Sequence, residues 1–420
     1  MPQIILKNAK LLFPLGYDRP LMDVVISDGK VAKVEVNTQE TADKVFDLMG
    51  KVVCPGFVDL HIHPDTAYLL EDYVERPRAE AYRAQFQLLE KRYSGLSDSE
   101  VIKDMVDRGR KILSKCLQAG VLFARCHITF SQSWGPLAIE AYETLKVEFQ
   151  DKMTLQNVVP YWKSADELWR KFALEGRIDV VGGYPSFSED GYPVKPYSQN
   201  LRDLIAVAVE FDLPLDLHID TITDDSYQML YDVAAIMNKR KDFSLYEKVA
   251  CSHLAAVGDP RMSIDKLLEI SAICGKVYLS TIVQASNDMI SAGTKESRGA
   301  FPFEQMWDSG ANVCVASGDV KNALYPFGNG DILSELLTTA QINKRGIRME
   351  LRRMFETITW NPARAMHIEN YGILPGNTAD LVVLDADSIE NALIEQPTRL
   401  LIMKCGKVIV DHLKGGVSRA

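Results

Sequence analysis

Eight apolar, β-rich runs recur along the middle of this chain, each followed by a helical pattern, and that alternation limits the fold more than any other feature. The first run, Val52–Asp65 (VVCPGFVDLHIHPD), passes through Pro55-Gly56 and ends in His61 and His63. The others are LFARCH (122–127), TLQNVVP (154–160), IDVVGG (178–183), LPLDLHI (213–219), KVACSH (248–253), KVYLSTIV (276–283) and ANVCVAS (311–317). Helical stretches lie between them, among them Ser99–Ala119, Asp331–Gln341 and one opening at Ser164 with Glu167 three residues on, a capping-box pattern. Strands alternating with helices form parallel sheets, because a parallel strand can be reached only by a crossover. The expected fold is α/β: a (β/α)8 TIM barrel, with a doubly wound sheet as the runner-up.

The two chain ends read differently. Residues 3–54 hold the short runs IILKNAKLLF, DVVISDGKVAKVEV and VFDLMGKVV, with a hairpin signal at Ser27-Asp28-Gly29-Lys30. The far end answers with ADLVVLDA (379–386) and LLIMKCGKVIVD (400–411), which turns at Cys405-Gly406. VISDGKVAKV and IMKCGKVIVD share one pattern, so both ends are expected to build a single small β domain. The division that follows is 1–54 plus 365–420 for the β domain and 55–364 for the barrel. Pro64–Asp98 and Gln284–Ala300 are long enough to be lids over the barrel's carboxyl face.

Composition excludes several classes of function. A formal charge of −10 with no Lys/Arg cluster argues against a nucleic-acid partner. No apolar run approaches membrane-spanning length, and the N-terminus is too polar for a signal peptide. The seven cysteines are scattered, odd in number and without a CxxC, which suits reduced core residues in a cytoplasmic protein. A small-molecule substrate is the expected partner; a homo-oligomer is compatible with the chain.

A barrel carries its chemistry at the carboxyl ends of its strands. The first run ends in His61 and His63, the second in His127, the fifth in His218 and the sixth in His253, while Ser317-Gly318-Asp319 follows the eighth. Five of the seven histidines thus fall at strand ends; His367 and His412 are expected at the surface. Residues i and i+2 of a strand share a face, so His61 and His63 can grip one ion. Taken singly, His127 reads as readily as a satisfied structural residue. Three imidazoles and a carboxylate together suit one divalent transition metal with a position open to water, which implies metal-assisted hydrolysis.

PGFVDLHIH, the later single histidines, Asp319 and the flanking β halves resemble the amidohydrolase superfamily, in its cytosine deaminase-like branch. Tyr325–Asp331 (YPFGNGD) and Tyr371–Ala386 (YGILPGNTADLVVLDA) carry the resemblance most specifically. It implies one zinc or iron ion on His61, His63, His218 and Asp319, with His253 orienting or polarising the hydrolytic water. Strand four offers no lysine, against a carbamylated-lysine binuclear site. Three departures stand out. The glutamate of His-x-x-Glu after strand five is missing, since Ile219, Asp220 and Thr221 follow His218. Its work would fall to Asp220, Asp224, Asp225 or Asp319. The pyrimidine-reading glutamine after strand three is also absent; Tyr161 and Trp162 stand nearby, either to stack on a flat ring or to pack in the core. An ungapped alignment on PFGNGD places Gly318 at the ligand position, and a one-residue shift restores Asp319.

The expected activity is hydrolysis of a C–N bond in, or attached to, a small nitrogen heterocycle of triazine or pyrimidine type, by deamination or amine release. Asp319 would take the proton from water and His253 would stabilise the developing negative charge. Ring-opening of a cyclic amide and a catalytically silent, ligand-binding barrel are the alternatives.

Overall fold

The structure, a computed structural model, describes residues 2–14, 20–72, 81–130, 134–189, 191–192, 194–219, 227–240, 247–259, 261–285 and 300–413. Five strands come first: β1 (Ile4–Leu11), β2 (Met22–Ser27), β3 (Lys30–Glu35), β4 (Lys44–Asp47) and β5 (Val52–Pro55). The barrel strands follow: β6 (Phe57–Ile62), β7 (Val121–His127), β8 (Thr154–Pro160), β9 (Val180–Gly183), β10 (Leu215–Ile219), β11 (Val249–His253), β12 (Ser280–Val283) and β13 (Asn312–Val315). The chain closes with β14 (Leu381–Leu384), β15 (Arg399–Lys404) and β16 (Lys407–Asp411).

Strands β6 to β13 lie side by side in sequence order, every neighbouring pair parallel. Seven of the eight are buried along their whole length, and β8 is buried except at Thr154 and Gln156 near its start, as strands covered on both faces must be. A helix follows each strand, for example Asp98–Gln118 before β7 and Ile332–Ile342 after β13. The ring is completed just past β13. Gly318 forms a parallel bridge with Ile62, its N–H donating to the His61 carbonyl at 2.8 Å. Beside it the Ser317 N–H donates to Asp59 Oδ1 at 3.1 Å, and the Ser317 hydroxyl donates to Asp59 Oδ2. The expected (β/α)8 barrel is the observed one.

The chain ends form one sheet in the order β16-β15-β14-β5-β1-β2-β3, with β4 on β1. β1 joins its two parts: Ile4–Ala9 pair with β2, and Lys10–Leu11 pair in parallel with β5. β5 in turn pairs antiparallel with β14 along its whole length. The sheet keeps an apolar core of its own, including Leu6, Val24, Phe46, Val53, Leu381 and Met403. The likeness of the two hairpins has a physical counterpart. Asp28-Gly29 and Cys405-Gly406 both turn with two successive positive φ angles, the tight hairpin geometry that glycine favours at its second position. The turns abut, so a Cβ on Gly406 would come within 2.8 Å of Gly29 Cα.

Some local expectations need correction. Strand seven begins at Ser280, not Lys276, because Lys276 is the last residue of the helix Ile264–Lys276 and Tyr278 turns the chain with φ 51°. An apolar run that crosses from helix to strand has no break that periodicity can locate. Ser164 does not cap a helix: it lies in a short 3-10 turn, its hydroxyl donates to Glu189, and the helix starts at Asp166. The working box is Ser97–Glu100, where the Glu100 carboxylate accepts from the Ser97 N–H at 2.8 Å. Six cysteines are buried thiols and Cys405 is exposed at its hairpin turn. His367 and His412 are exposed, as expected. Most of Gln284–Ala300 lies outside the described residues; in the first long segment, Tyr68 and Leu70 donate to the carbonyls of Val320 and Lys321 at 3.0 Å.

Deleting residues 381–420 removes β14–β16 and leaves β5 without its antiparallel neighbour. The truncated protein should be insoluble or cleaved rapidly within residues 3–54 in limited proteolysis. A soluble, fully active truncation would show that the two ends fold independently.

Candidate metal centre

Strand alternation delivers His61 from the last turns of β6, and His63 follows one residue past the strand end. His127, His218 and His253 arrive from β7, β10 and β11; register sets Ile219 beside His253. All five imidazoles are buried at one end of the barrel. His61 Nε2 lies 3.0 Å from His63 Nε2, and His218 Nε2 lies 3.5 Å from His63 Nε2. Nitrogens this close share either a proton or an ion. In a tetrahedral zinc site with bonds of about 2.0–2.1 Å, ligand nitrogens stand about 3.3 Å apart. The three Nε2 atoms therefore fit a divalent transition metal. Burial, with the neighbouring imidazoles second, holds His61 and His218 well below the usual histidine range, so both are neutral, as ligation requires.

His253 stands beside this cluster, on the strand next to that of His218. Its ring centroid is 5.1 Å from that of His218 and 5.6 Å from that of His61. It and Leu254 both have positive φ, 78° and 46°, an uncommon state for such residues outside sites that need it. The backbone is turned sharply at the point where this imidazole meets the cluster.

Asp319 is buried, and its Oδ1 accepts a hydrogen bond from the Asn322 side-chain amide. That amide is fixed in turn: its Oδ1 accepts from the N–H groups of Leu324 and Tyr325, both at 3.0 Å. Among the described residues, the groups of metal-ligating atoms lying mutually within 4.8 Å are His61–His63–His218 and His61–His127–Asp216; Asp319 is in neither. Gly318, with φ 71°, is engaged in the closing bridge. Asp220, Asp224 and Asp225 lie outside the described residues.

Beside His63 opens a narrow cleft lined by Thr66, Gln85, Phe86, Thr129, Trp162 and Tyr184, among others. The two aromatic candidates part here. Trp162 lines the cleft, its indole N–H donating to the Phe130 carbonyl at 2.8 Å. Tyr161 is absent from the lining: its hydroxyl donates to Asp166 at 2.7 Å and its ring meets Trp169 edge-on. The residue that sequence reasoning missed is Tyr184. It stacks on His218 at 4.1 Å and lies parallel to Trp162 at 5.8 Å. Its position directly after β9, at the carboxyl end of strand four, was the available signal.

Residues 167–411 match the profile of the amidohydrolase family. The chain belongs to the amidohydrolase family. N-isopropylammelide isopropyl amidohydrolase of Pseudomonas sp. (strain ADP) is 26% identical over 422 residues, covering 97% of each chain. 5-Methylcytosine deaminase from Klebsiella pneumoniae, solved with phosphonocytosine, matches the fold with a TM-score of 0.82 at 22% identity, over 97% of this chain and 98% of that one. N-isopropylammelide isopropylaminohydrolase from Burkholderia multivorans ATCC 17616 gives 0.78 at 19% identity, over 98% and 99%. The amidohydrolase described here is accordingly a metal-dependent hydrolase of carbon–nitrogen bonds other than peptide bonds.

Replacing His61 or His63 by Ala should abolish near-stoichiometric metal uptake and activity together while the amidohydrolase stays folded, because the barrel core does not depend on the ion. Elemental analysis alongside thermal unfolding checks this; full metal occupancy in either variant would remove β6 from the ligand set.

Proposed function

We propose that this amidohydrolase releases an amine or ammonia from a triazine- or pyrimidine-like ring, in the cytoplasm, with one zinc or iron ion held by His61, His63 and His218. The observation that carries the reading is the convergence of three Nε2 atoms, those of His61, His63 and His218, beside a cleft with an aromatic wall. When bound, such an ion acts as a Lewis acid and draws the pKa of water from about 15.7 towards roughly 7.

The remaining work falls to the protein's own groups. Trp162 and Tyr184 give the cleft parallel π-faces, suited to holding a flat heterocycle close to His218. Phe86, Leu89, Ile128 and Phe130 line the same cleft and would shelter the ring from bulk water. Asp319 accepts the proton of the attacking water, and the Asn322 amide, donating to its Oδ1, holds the carboxylate in place. His253 donates to the negative charge that develops as water oxygen bonds to the ring carbon. The C–N bond to the exocyclic nitrogen then breaks, and the amine departs with the proton that Asp319 took up. The name of the Pseudomonas relative, an isopropyl amidohydrolase, supports an N-alkylamino ring as the first substrate to try.

A screen of amino- and alkylamino-triazines, aminopyrimidines and cyclic amides, read by amine release, tests the reaction class. Turnover confined to cyclic amides would replace amine release with ring opening; no turnover by metal-loaded protein would favour a binding role. Asp319→Asn keeps the shape and can still accept from Asn322, yet loses most of the basicity. Its kcat should fall at least about a hundredfold, or roughly 2.7 kcal/mol, and near-normal turnover would remove Asp319 from the mechanism. His253→Asn tolerates the left-handed backbone, so it should stay folded and also lose at least about a hundredfold in kcat. Wild-type kcat in that variant would assign His253 a packing role only.

A further inference from the structure

Three of the strands that supply histidines repeat one motif: Asp59-x-His61 on β6, Arg125-x-His127 on β7 and Asp216-x-His218 on β10. Alternation puts each charged residue on the same inward face as its histidine, one layer deeper. That layer is buried: Arg125 Nη1 donates to Asp216 Oδ2 at 2.9 Å, and Nη2 donates to the Ala365 carbonyl at 2.9 Å. His127 lies between the layers, its ring stacked on His61 at 3.6 Å and its Nε2 3.8 Å from Asp216 Oδ2. Four buried polar atoms of these side chains have no hydrogen-bond partner among the described residues: His61 Nδ1, His218 Nδ1, His127 Nε2 and Asp216 Oδ1. Buried polar atoms are normally satisfied, directly or through ordered water.

We propose that His127 and Asp216 are positioning residues for the metal centre: with Arg125 locking the carboxylate, they anchor the Nδ1 side of His61 and His218 and so aim both Nε2 atoms at the ion. The inference rests on the three-histidine reading above. A ligating imidazole needs its second nitrogen held by a carboxylate, a carbonyl or water to fix its tautomer and ring angle. Asp216 is the carboxylate within reach, since His61, His127 and Asp216 each place a donor atom within 4.8 Å of the other two. That same trio could be read as a second cation site. Arg125 counts against it, because a guanidinium already neutralises the one anionic donor. At 3.8 Å the His127–Asp216 contact is too long for a direct hydrogen bond, so a bridging water or a small closure on metal uptake makes the link.

The test measures zinc affinity by chelator competition and the visible spectrum of the cobalt-loaded protein, which reports ligand geometry independently of turnover. His127→Leu and Asp216→Asn should each weaken zinc binding by about ten- to a hundredfold and shift the cobalt bands, while His127→Gln, which keeps a polar tip, should lie nearer wild type. Should Asp216→Asn fail to fold beside Arg125, the His127 pair carries the test. Folded variants that bind zinc as wild type does, with an unchanged cobalt spectrum, would overturn the positioning role. Wild-type protein that takes up no metal would instead overturn the three-histidine reading on which it rests.

Discussion

Closure of the barrel between β6 and the segment after β13 is the contact on which the site depends. One backbone bridge, Ile62 to Gly318, and the bonds from Ser317 to Asp59 tie the first strand to the last. Because β6 also carries His61, the bonds that complete the ring hold the first histidine in register with the loop that carries Asp319. The Gly318 N–H donates directly to the His61 carbonyl, so a shift of that loop would move His61. Fold and site are closed by the same few atoms.

The electrostatics follow from that architecture. Five imidazoles crowded into a dry end of a barrel can be kept only if they are neutral or if something charged holds them together. Burial keeps His61, His127 and His218 uncharged. Beneath them lie two carboxylates and one guanidinium. Burial pushes Asp59 up to about 6, against the hydrogen bonds from Ser317, and raises Asp216 despite Arg125. With both carboxylates ionised this floor is anionic by one charge, which favours a cation above it.

The missing glutamate and the displaced strand-eight position bear on how protons move. Thr221 stands where a His-x-x-Glu pattern would place a carboxylate, and Gly318 is used to close the ring. Three histidines with an open position still make a complete catalytic zinc set. On the reading proposed above, Asp319 would serve as a base held by Asn322 without also being a ligand. That arrangement separates two jobs that a single coordinating carboxylate would combine.

Much of this was legible along the chain. Strand periodicity and helical alternation set the barrel, the matched hairpins set the terminal sheet, and histidines at strand ends marked the catalytic face, because side-chain direction on a strand is fixed by a local rule of two. The rule also contains the Asp-x-His and Arg-x-His pattern, but not which of those groups meet, since β10 comes to face β6 and β7 across the barrel only when the sheet curls shut. Tyr161 and Trp162 show the same limit: adjacent in sequence beyond β8, they diverge into core and cleft according to the packing of Trp169 and Phe130. Tyr184 was unreadable as a partner of His218 for the same reason. The sequence by itself determined which residues face the barrel's carboxyl end, because that depends on backbone geometry one residue at a time. Only the tertiary structure decided which of them touch, because the distances between strands are set by how all eight pack around a common axis.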